Sequence, residues 1–388
     1  MKLAENEFLK YMSKFEKNPF EIVLHGESHL IGSGKPSFSV VFHKTPEINE
    51  LLTSTSIALG KAYMDGDIEI KGELYDALNL FLGQLGEFST DRKKLRKLIF
   101  TSGSKKNQKK EVSSHYDIGN DFYRLWLDET MSYSCGYFGN NTDTLYDAQC
   151  NKINRTLQKL HLEEGMSLCD IGCGWGFLLI QAAKQYKVHG VGITLSEEQK
   201  KEFERRIREE NLEEYLTVKL LDYRDLPDVG QKFDRIVSIG MVEHVGRQNY
   251  REFMQCVKDA LKPGGIFLLH YISALLEYPG DAWIKKYIFP GGVIPSLREI
   301  INIAGELRFY TLDVESWRRH YNKTLLCWND NFQKHRDQIV KMFDEKFARM
   351  WELYLCACAA TFMNGIIDLH QIVFINGVNN ELPMVRWY

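Results

Sequence analysis

The stretch LCDIGCGWG, Leu168 to Gly176, restricts the fold of this chain more than any other nine residues. It closes a short apolar run with three glycines two residues apart, Gly172, Gly174 and Gly176, and a helical pattern follows at once. A strand that turns through glycines into a helix is the opening unit of a doubly wound α/β sheet. The sequence downstream agrees. Apolar runs at MSLCDIG, KVHGVGIT, YLTVKLLD, FDRIVSIG and GIFLLHYI predict strands, and amphipathic patterns over 175–186, 197–210 and 249–261 predict the helices between them. A final αβ portion ends in DLHQIVFING. In such a sheet ligands sit at the carboxyl ends of the strands.

The glycine spacing then narrows the ligand. A dinucleotide fingerprint is G-x-G-x-x-G, with room for a pyrophosphate at the helix N-terminus. Here the third glycine comes one residue early, and an acid, Asp170, closes the strand. That arrangement suits a zwitterionic amino-acid tail better than two phosphates, and points to S-adenosylmethionine. In ITLSEEQ, Ser196 is a natural N-cap, and Thr194 and Gln199 stand where methyltransferases usually carry a ribose-binding acid. In LDYRDL, Asp222, Tyr223 and Arg224 are placed to frame an adenine.

The first hundred residues read differently. FEIVLHG, SFSVVFHK and MDGDIEIKG predict strands among helical patterns, a small α+β domain over 1–100. A basic stretch follows, DRKKLRKLIFTSGSKKNQKK, with nine Lys or Arg against one Asp over 91–110. It reads equally as a solvated helix with a polar linker (101–112) or as a contact for an anionic membrane, where each basic side chain contributes about 1 kcal/mol. The catalytic domain is expected over 113–388. A formal charge of −3 argues against a dedicated nucleic-acid partner. The first 18 residues have no continuous apolar core, and no apolar run reaches the length of a membrane span, so a cytoplasmic location and only peripheral membrane contact are expected. The eight cysteines form no C-x-x-C pair; free thiols and no metal site are expected.

Taken in order, SSHYDIGNDFYRLWLDETMSYSCGYF, DIGCGWGF, GITLSEEQ, GMVEHVG and FLLHYI resemble the cyclopropane-fatty-acyl-phospholipid synthases and the related mycolic-acid cyclopropane synthases. The resemblance runs from about Ser113 to the C-terminus and implies a class I S-adenosylmethionine-dependent methyltransferase fold. It implies methylation of the cis double bond of an acyl chain in an unsaturated phospholipid, then loss of a proton as the ring closes. The neighbouring outcome is a fatty-acyl methyltransferase that leaves a methyl-branched chain. Carried over, the donor contacts are Tyr133, Ser134, Leu168, Asp170, Gly172, Gly174, Trp175, Gly176, Thr194, Leu195, Ser196, Gln199, Tyr223 and Arg224. A bicarbonate would be held by Cys135, Glu243, His270 and Tyr321 with the backbone of Ile272. A cysteine at the position of Cys358 is a candidate nucleophile in such enzymes. The alkene attacks the donor directly, so Cys358 reads here as structural. Where relatives often continue Phe-Arg, this chain has Phe362 and Met363. Homodimerisation is a further implication of the resemblance.

The chemistry accounts for such a residue set. An alkene is a weak nucleophile and must be held in near-attack geometry. The cation that results needs a dry pocket and aromatic faces. Tyr116, Phe122, Tyr123, Tyr133, Tyr137 and Phe138 read either as that wall or as ordinary core. A protein carboxylate would alkylate itself, whereas a small anion held by hydrogen bonds would not. Glu243 and His244, adjacent after the fourth strand, are expected to point to opposite sides of an extended chain, Glu243 inward. The aromatic segment 278–295 and the basic stretch are the expected contacts with the inner membrane leaflet.

Overall fold

The computed structural model describes residues 2–16, 18–44, 54–84 and 118–388. The basic stretch 91–110, the linker 101–112 and Tyr116 lie outside the described residues.

Two sheets organise the described chain. The smaller comprises β1 (Phe20–Leu24), β2 (Glu27–Ile31), β3 (Ser39–Phe42) and β4 (Ile68–Lys71) in the order β2-β1-β3-β4. Helices α1 (Lys2–Met12), α2 (Thr55–Met64) and α3 (Leu74–Gln84) accompany it. The sequence predicted three of these strands and missed β2. In ESHLI only Ile31 is buried, so no apolar run announces it. It pairs with β1 through a tight turn at His25 and Gly26, both with positive φ. Phe20 lies at the centre of this layer, stacked on Phe38 at 5.3 Å and met edge-on by Phe81 at 5.4 Å.

The larger sheet contains β5 (Ser167–Ile171), β6 (His189–Thr194), β7 (Leu216–Leu220), β8 (Phe233–Ile239), β9 (Leu261–Ala274), β10 (Phe309–Ser316) and β11 (Ile367–Asn376). Their order is β10-β11-β9-β8-β5-β6-β7. Strands β5 to β9 pair in parallel, and β11 runs antiparallel to both of its neighbours. The helices are α4 (Asn120–Arg124), α5 (Leu145–Lys159), α6 (Phe177–Tyr186), α7 (Glu197–Glu209), α8 (Tyr250–Ala260), α9 (Ala282–Tyr287), α10 (Leu297–Glu306), α11 (Arg318–Lys334), α12 (Arg336–Met342) and α13 (Glu345–Met363). Strands covered on both faces read as continuous apolar runs, and Leu168 and Cys169 of β5 are indeed fully buried. Strand β5 has β6 on one side and β8 on the other, so the order reverses there and a crevice opens at its carboxyl end.

Local signals set the helix starts. The Ser196 hydroxyl accepts from Gln199 N at 3.3 Å to begin α7, as the sequence implies. Thr144 and Asp147 form a reciprocal capping box at the start of α5. The apolar helix α13 packs on α11 and also seats the N-terminal layer: Arg349 donates to the carbonyls of Tyr63 (2.5 Å) and Ile68 (2.8 Å). All eight cysteines are unpaired. Among the described residues, no helix is long and apolar enough to cross a membrane.

Candidate active site

Two cavities meet at the carboxyl end of the sheet. The first lies over β5, its floor made by Asp170 and the turn through Gly172, Gly174 and Gly176. Gly172 and Gly176 both hold positive φ, near 83° and 84°. A Cβ on Gly176 would lie 2.0 Å from the buried Phe203 ring, so this position excludes any side chain. Asp170 is enclosed, its Oδ1 has no hydrogen-bond partner, and burial pushes its carboxyl up to about 7. Thr194 Oγ1 donates to Gln199 Oε1 at 2.7 Å, fixing the pair that stands in place of the usual acid after β6. Tyr133, Ser134, Trp175, Leu195, Asp222 and Tyr223 complete the expected wall.

Three residues expected at the donor do not line this cavity. Leu168 is buried in the core beneath the sheet. Ser196 is committed to the cap of α7. Arg224 folds back onto Asp222, Nε to Oδ1 and Nη2 to Oδ2 both at 2.7 Å, and acts by holding that carboxylate.

The second cavity brings together Cys135, Glu243, His270, Ile272, Tyr321 and Cys358. Five chain segments supply them: the loop before α5, the turn after β8, the end of β9, α11 and α13. Glu243 Oε1 accepts from Ile272 N at 2.7 Å, while its Oε2 is enclosed and unpartnered. The Ile272 N–H thus aims the Glu243 carboxylate. Burial raises the Glu243 carboxyl to about 7. Gln371 Nε2 lies 3.4 Å from His270 Nδ1, and His270 Nε2 is buried and unpartnered; with the Gln371 amide donating to Nδ1, the ring proton stands on Nε2. Burial holds the His270 imidazole neutral and keeps the Cys135 thiol and Tyr321 phenol protonated. Burial also pushes the Cys358 thiol up to about 12, which makes it a poor nucleophile.

Glu243 and His244 depart from the expected alternation. Strand β8 stops at Ile239, Gly240 turns the chain with φ 65°, and Val242–His244 form one 3₁₀ turn. Both side chains therefore face the second cavity. Burial lowers the His244 imidazole to about 4, so it is neutral there. The aromatic wall also differs from expectation. Phe122 and Tyr123 are fully buried in a core cluster with Trp126 and Trp351, and Tyr137 packs on His320 and Trp317. Phe138 stacks beside His320. Of the described members of the expected set only Tyr133 lines the cavities; Tyr278, Phe289, Tyr321, Tyr354 and Phe362 make the rest of the wall. Tyr321 was expected here as an anion ligand and Tyr278 and Phe289 as part of a membrane-facing segment; Tyr354 and Phe362 carried no local signal, because the wall converges from loops and helices far apart in the chain. Tyr278 and Phe289 thus face inward, and the exposed apolar residues beside that segment are Leu275 and Leu276.

Tyr133, Ser134, Gly240 and His244 border both cavities. The 132–135 loop is tied down from α5, where Gln149 Nε2 donates to Ser134 O at 2.9 Å and Lys152 Nζ to Ser134 Oγ at 2.9 Å. Lys152 is 1% exposed, a buried lysine that the sequence reading did not single out.

This strand order, with a glycine-lined cavity above its central strand, defines an S-adenosylmethionine-dependent methyltransferase. A solved mycolic acid cyclopropane synthase CmaA1, complexed with SAH and CTAB, superposes with a TM-score of 0.65 at 34% identity, over 69% of this chain and 98% of that one. The chain belongs to the mycolic acid cyclopropane synthetase family, whose pattern it matches over residues 103–372. A domain of unknown function is matched over residues 8–93. The chain is 40% identical to the cyclopropane-fatty-acyl-phospholipid synthase of Escherichia coli K12, over 88% of this chain and 89% of that protein. It is 37% identical to a probable fatty acid methyltransferase of Pseudomonas putida, with the same shares covered.

Proposed function

We propose that this enzyme converts the cis double bond of an acyl chain in a membrane phospholipid to a cyclopropane, with bicarbonate beside Glu243 as the final base. The observation that carries the reading is a pair of enclosed, unpartnered atoms, Glu243 Oε2 and His270 Nε2, in an aromatic cavity that shares a wall with the donor cavity. Orphaned polar atoms are rare in a folded interior and mark a place for a polar guest. The first cavity fits the donor, since Asp170 Oδ1 is also unpartnered and the glycine turn lets the backbone approach closely.

When bound, S-adenosylmethionine supplies an electrophilic methyl group. The Tyr133–Ser134 partition positions the acceptor chain against it, with Tyr133 Oη held 2.8 Å from Tyr354 Oη. The rings of Tyr278, Phe289, Tyr321 and Phe362 exclude water and present π faces to the cationic carbon. Cys135, His270 and Tyr321 are neutral donors suited to an anion, and ionised Glu243 accepts from a hydroxyl of the same guest. Bicarbonate would supply a base whose capture by the cation would leave no covalent bond to the protein. Cys358 has no step to perform.

Labelled donor with unsaturated phospholipid vesicles tests the reading, with fragmentation of the product acyl chain as the readout. A ring is expected. A methyl-branched or exomethylene chain would replace the proposal with the second reading, fatty-acyl methylation, which the likeness to the P. putida relative favours. Transfer to free fatty acid alone would exclude the phospholipid.

The enzyme is further proposed to act as a homodimer at the inner leaflet, with residues 1–100 engaging lipid and 113–388 carrying catalysis. The basic stretch and the exposed Leu275 and Leu276 supply the peripheral contact. Neutralising Lys105, Lys106, Lys109 and Lys110 should weaken sedimentation with anionic vesicles at least ~10-fold, and high salt should do the same. Binding indifferent to both would remove this part.

A further inference from the structure

The donor cavity holds two buried groups of opposite charge that are not paired with one another. Asp170 is 3% exposed and Lys152 is 1% exposed, and both line the cavity. Among the described residues no ion pair joins them. Lys152 Nζ instead donates to a neutral acceptor, Ser134 Oγ, at 2.9 Å. Burial draws the ammonium down to about 8, so at neutral pH it carries charge. A buried cation hydrogen-bonded to a serine, with Asp128 and Asp170 acting on it only through space, and a buried acid with an orphaned oxygen in the same cavity, is an incomplete arrangement. A guest that brings one ammonium and one carboxylate would complete it.

We infer that Lys152 is a specificity-determining residue that recognises the α-carboxylate of the methyl donor, through and alongside the Ser134 hydroxyl, while Asp170 takes the α-ammonium. The inference rests on the donor reading of this cavity and deepens it. With its oxygen accepting from Lys152, Ser134 has its own O–H free to donate to a carboxylate. Gln149 holds the Ser134 carbonyl from the same helix, so α5 sets the position of both contacts. Lys152 has no place in the alkene chemistry; its part is to select and seat the donor's amino-acid tail.

Calorimetry with three probes tests this on the full chain and on Lys152→Met: S-adenosylhomocysteine, its decarboxylated analogue 5′-(3-aminopropylthio)-5′-deoxyadenosine, and methylthioadenosine. For S-adenosylhomocysteine the substitution should weaken binding about 10–100-fold, the range for a charge-assisted hydrogen bond. The two probes without a carboxylate should bind the variant as they bind the parent, which also shows that the variant is folded. Lys152→Arg should recover part of the loss. If decarboxylated and intact probes weaken equally, Lys152 serves Asp170 or the fold, and the inference is overturned; unchanged binding of all three also overturns it. Should Lys152→Met fail to fold, Ser134→Ala carries the same three-probe contrast. Failure of the parent to bind S-adenosylhomocysteine at all would sink the donor reading itself.

Discussion

Glu243→Gln is expected to lower methyl incorporation at least ~10²-fold, the usual scale for loss of an acid–base group, while making the apo-protein more stable at alkaline pH. The two effects share one cause. Burial lifts this carboxyl from 4.5 to about 7, so the folded state keeps a proton that the unfolded chain has already released. Stability is therefore lost as pH climbs from 4.5 to 7, and the full cost stands above 7. Integrated over that window, the cost is about 3 kcal/mol. Glutamine has no proton to lose, so the variant should gain about that much over the parent at pH 8 relative to pH 5. Urea unfolding at both values measures it. Activity runs the other way. Ionised Glu243 is the form that accepts from the guest's hydroxyl, so parental turnover should rise through the neutral range. An undiminished rate in the variant would show that the carboxylate takes no part, and equal stability gains at both pH values would show that it titrates normally.

The second large effect is structural. Gly176→Ala should destabilise the protein by about 2–5 kcal/mol: ~1–2 for forcing alanine into a left-handed conformation and ~1–3 for overpacking. The new methyl would stand 2.0 Å from the ring of Phe203, which is itself wholly buried. Against a total stability of ~5–15 kcal/mol, that loss should leave much of the chain insoluble at expression temperature. Gly174→Ala is the control. It also has positive φ, 54°, but nothing lies within 4 Å of the added Cβ, so only the backbone term applies. Equal losses for the two variants, measured by urea unfolding, would show that Phe203 yields and that the turn, rather than the packing beneath it, sets the requirement.

What the sequence made legible follows from how local each signal is. The strand–glycine–helix unit at 167–186 and the cap at Ser196 depend on neighbours in the chain, so spacing alone reveals them. The parallel strands were visible because burial on both faces leaves uninterrupted apolar runs. Strand β2 was missed because only Ile31 of its five residues is buried, so its pairing with β1, rather than its own composition, makes it a strand. The orientation of His244 was misread because a left-handed glycine at 240 replaces extended chain with a tight turn. Phe122 and Tyr123 belonged to the core while Tyr354 and Phe362 walled the cavity, a distinction set by how α4 and α13 pack. Lys152 went unnoticed for the same reason: nothing in its chain neighbourhood marks it, and it is interior because the loop at 132–135 folds onto it.

The partition between the cavities has a consequence for how specificity is divided. One side is furnished by loops at the strand ends, and the other draws heavily on α9, α11 and α13. Among the described residues only a short strip, Tyr133, Ser134, Gly240 and His244, belongs to both. Replacements along the inner face of α13 at Cys358, Thr361 or Phe362 can thus reshape the room available to a hydrocarbon tail while recognition of the sulfonium nucleoside stays as it was, whereas Tyr354 is tied to Tyr133 and reaches the donor side. Changes in the strip itself must alter the two together.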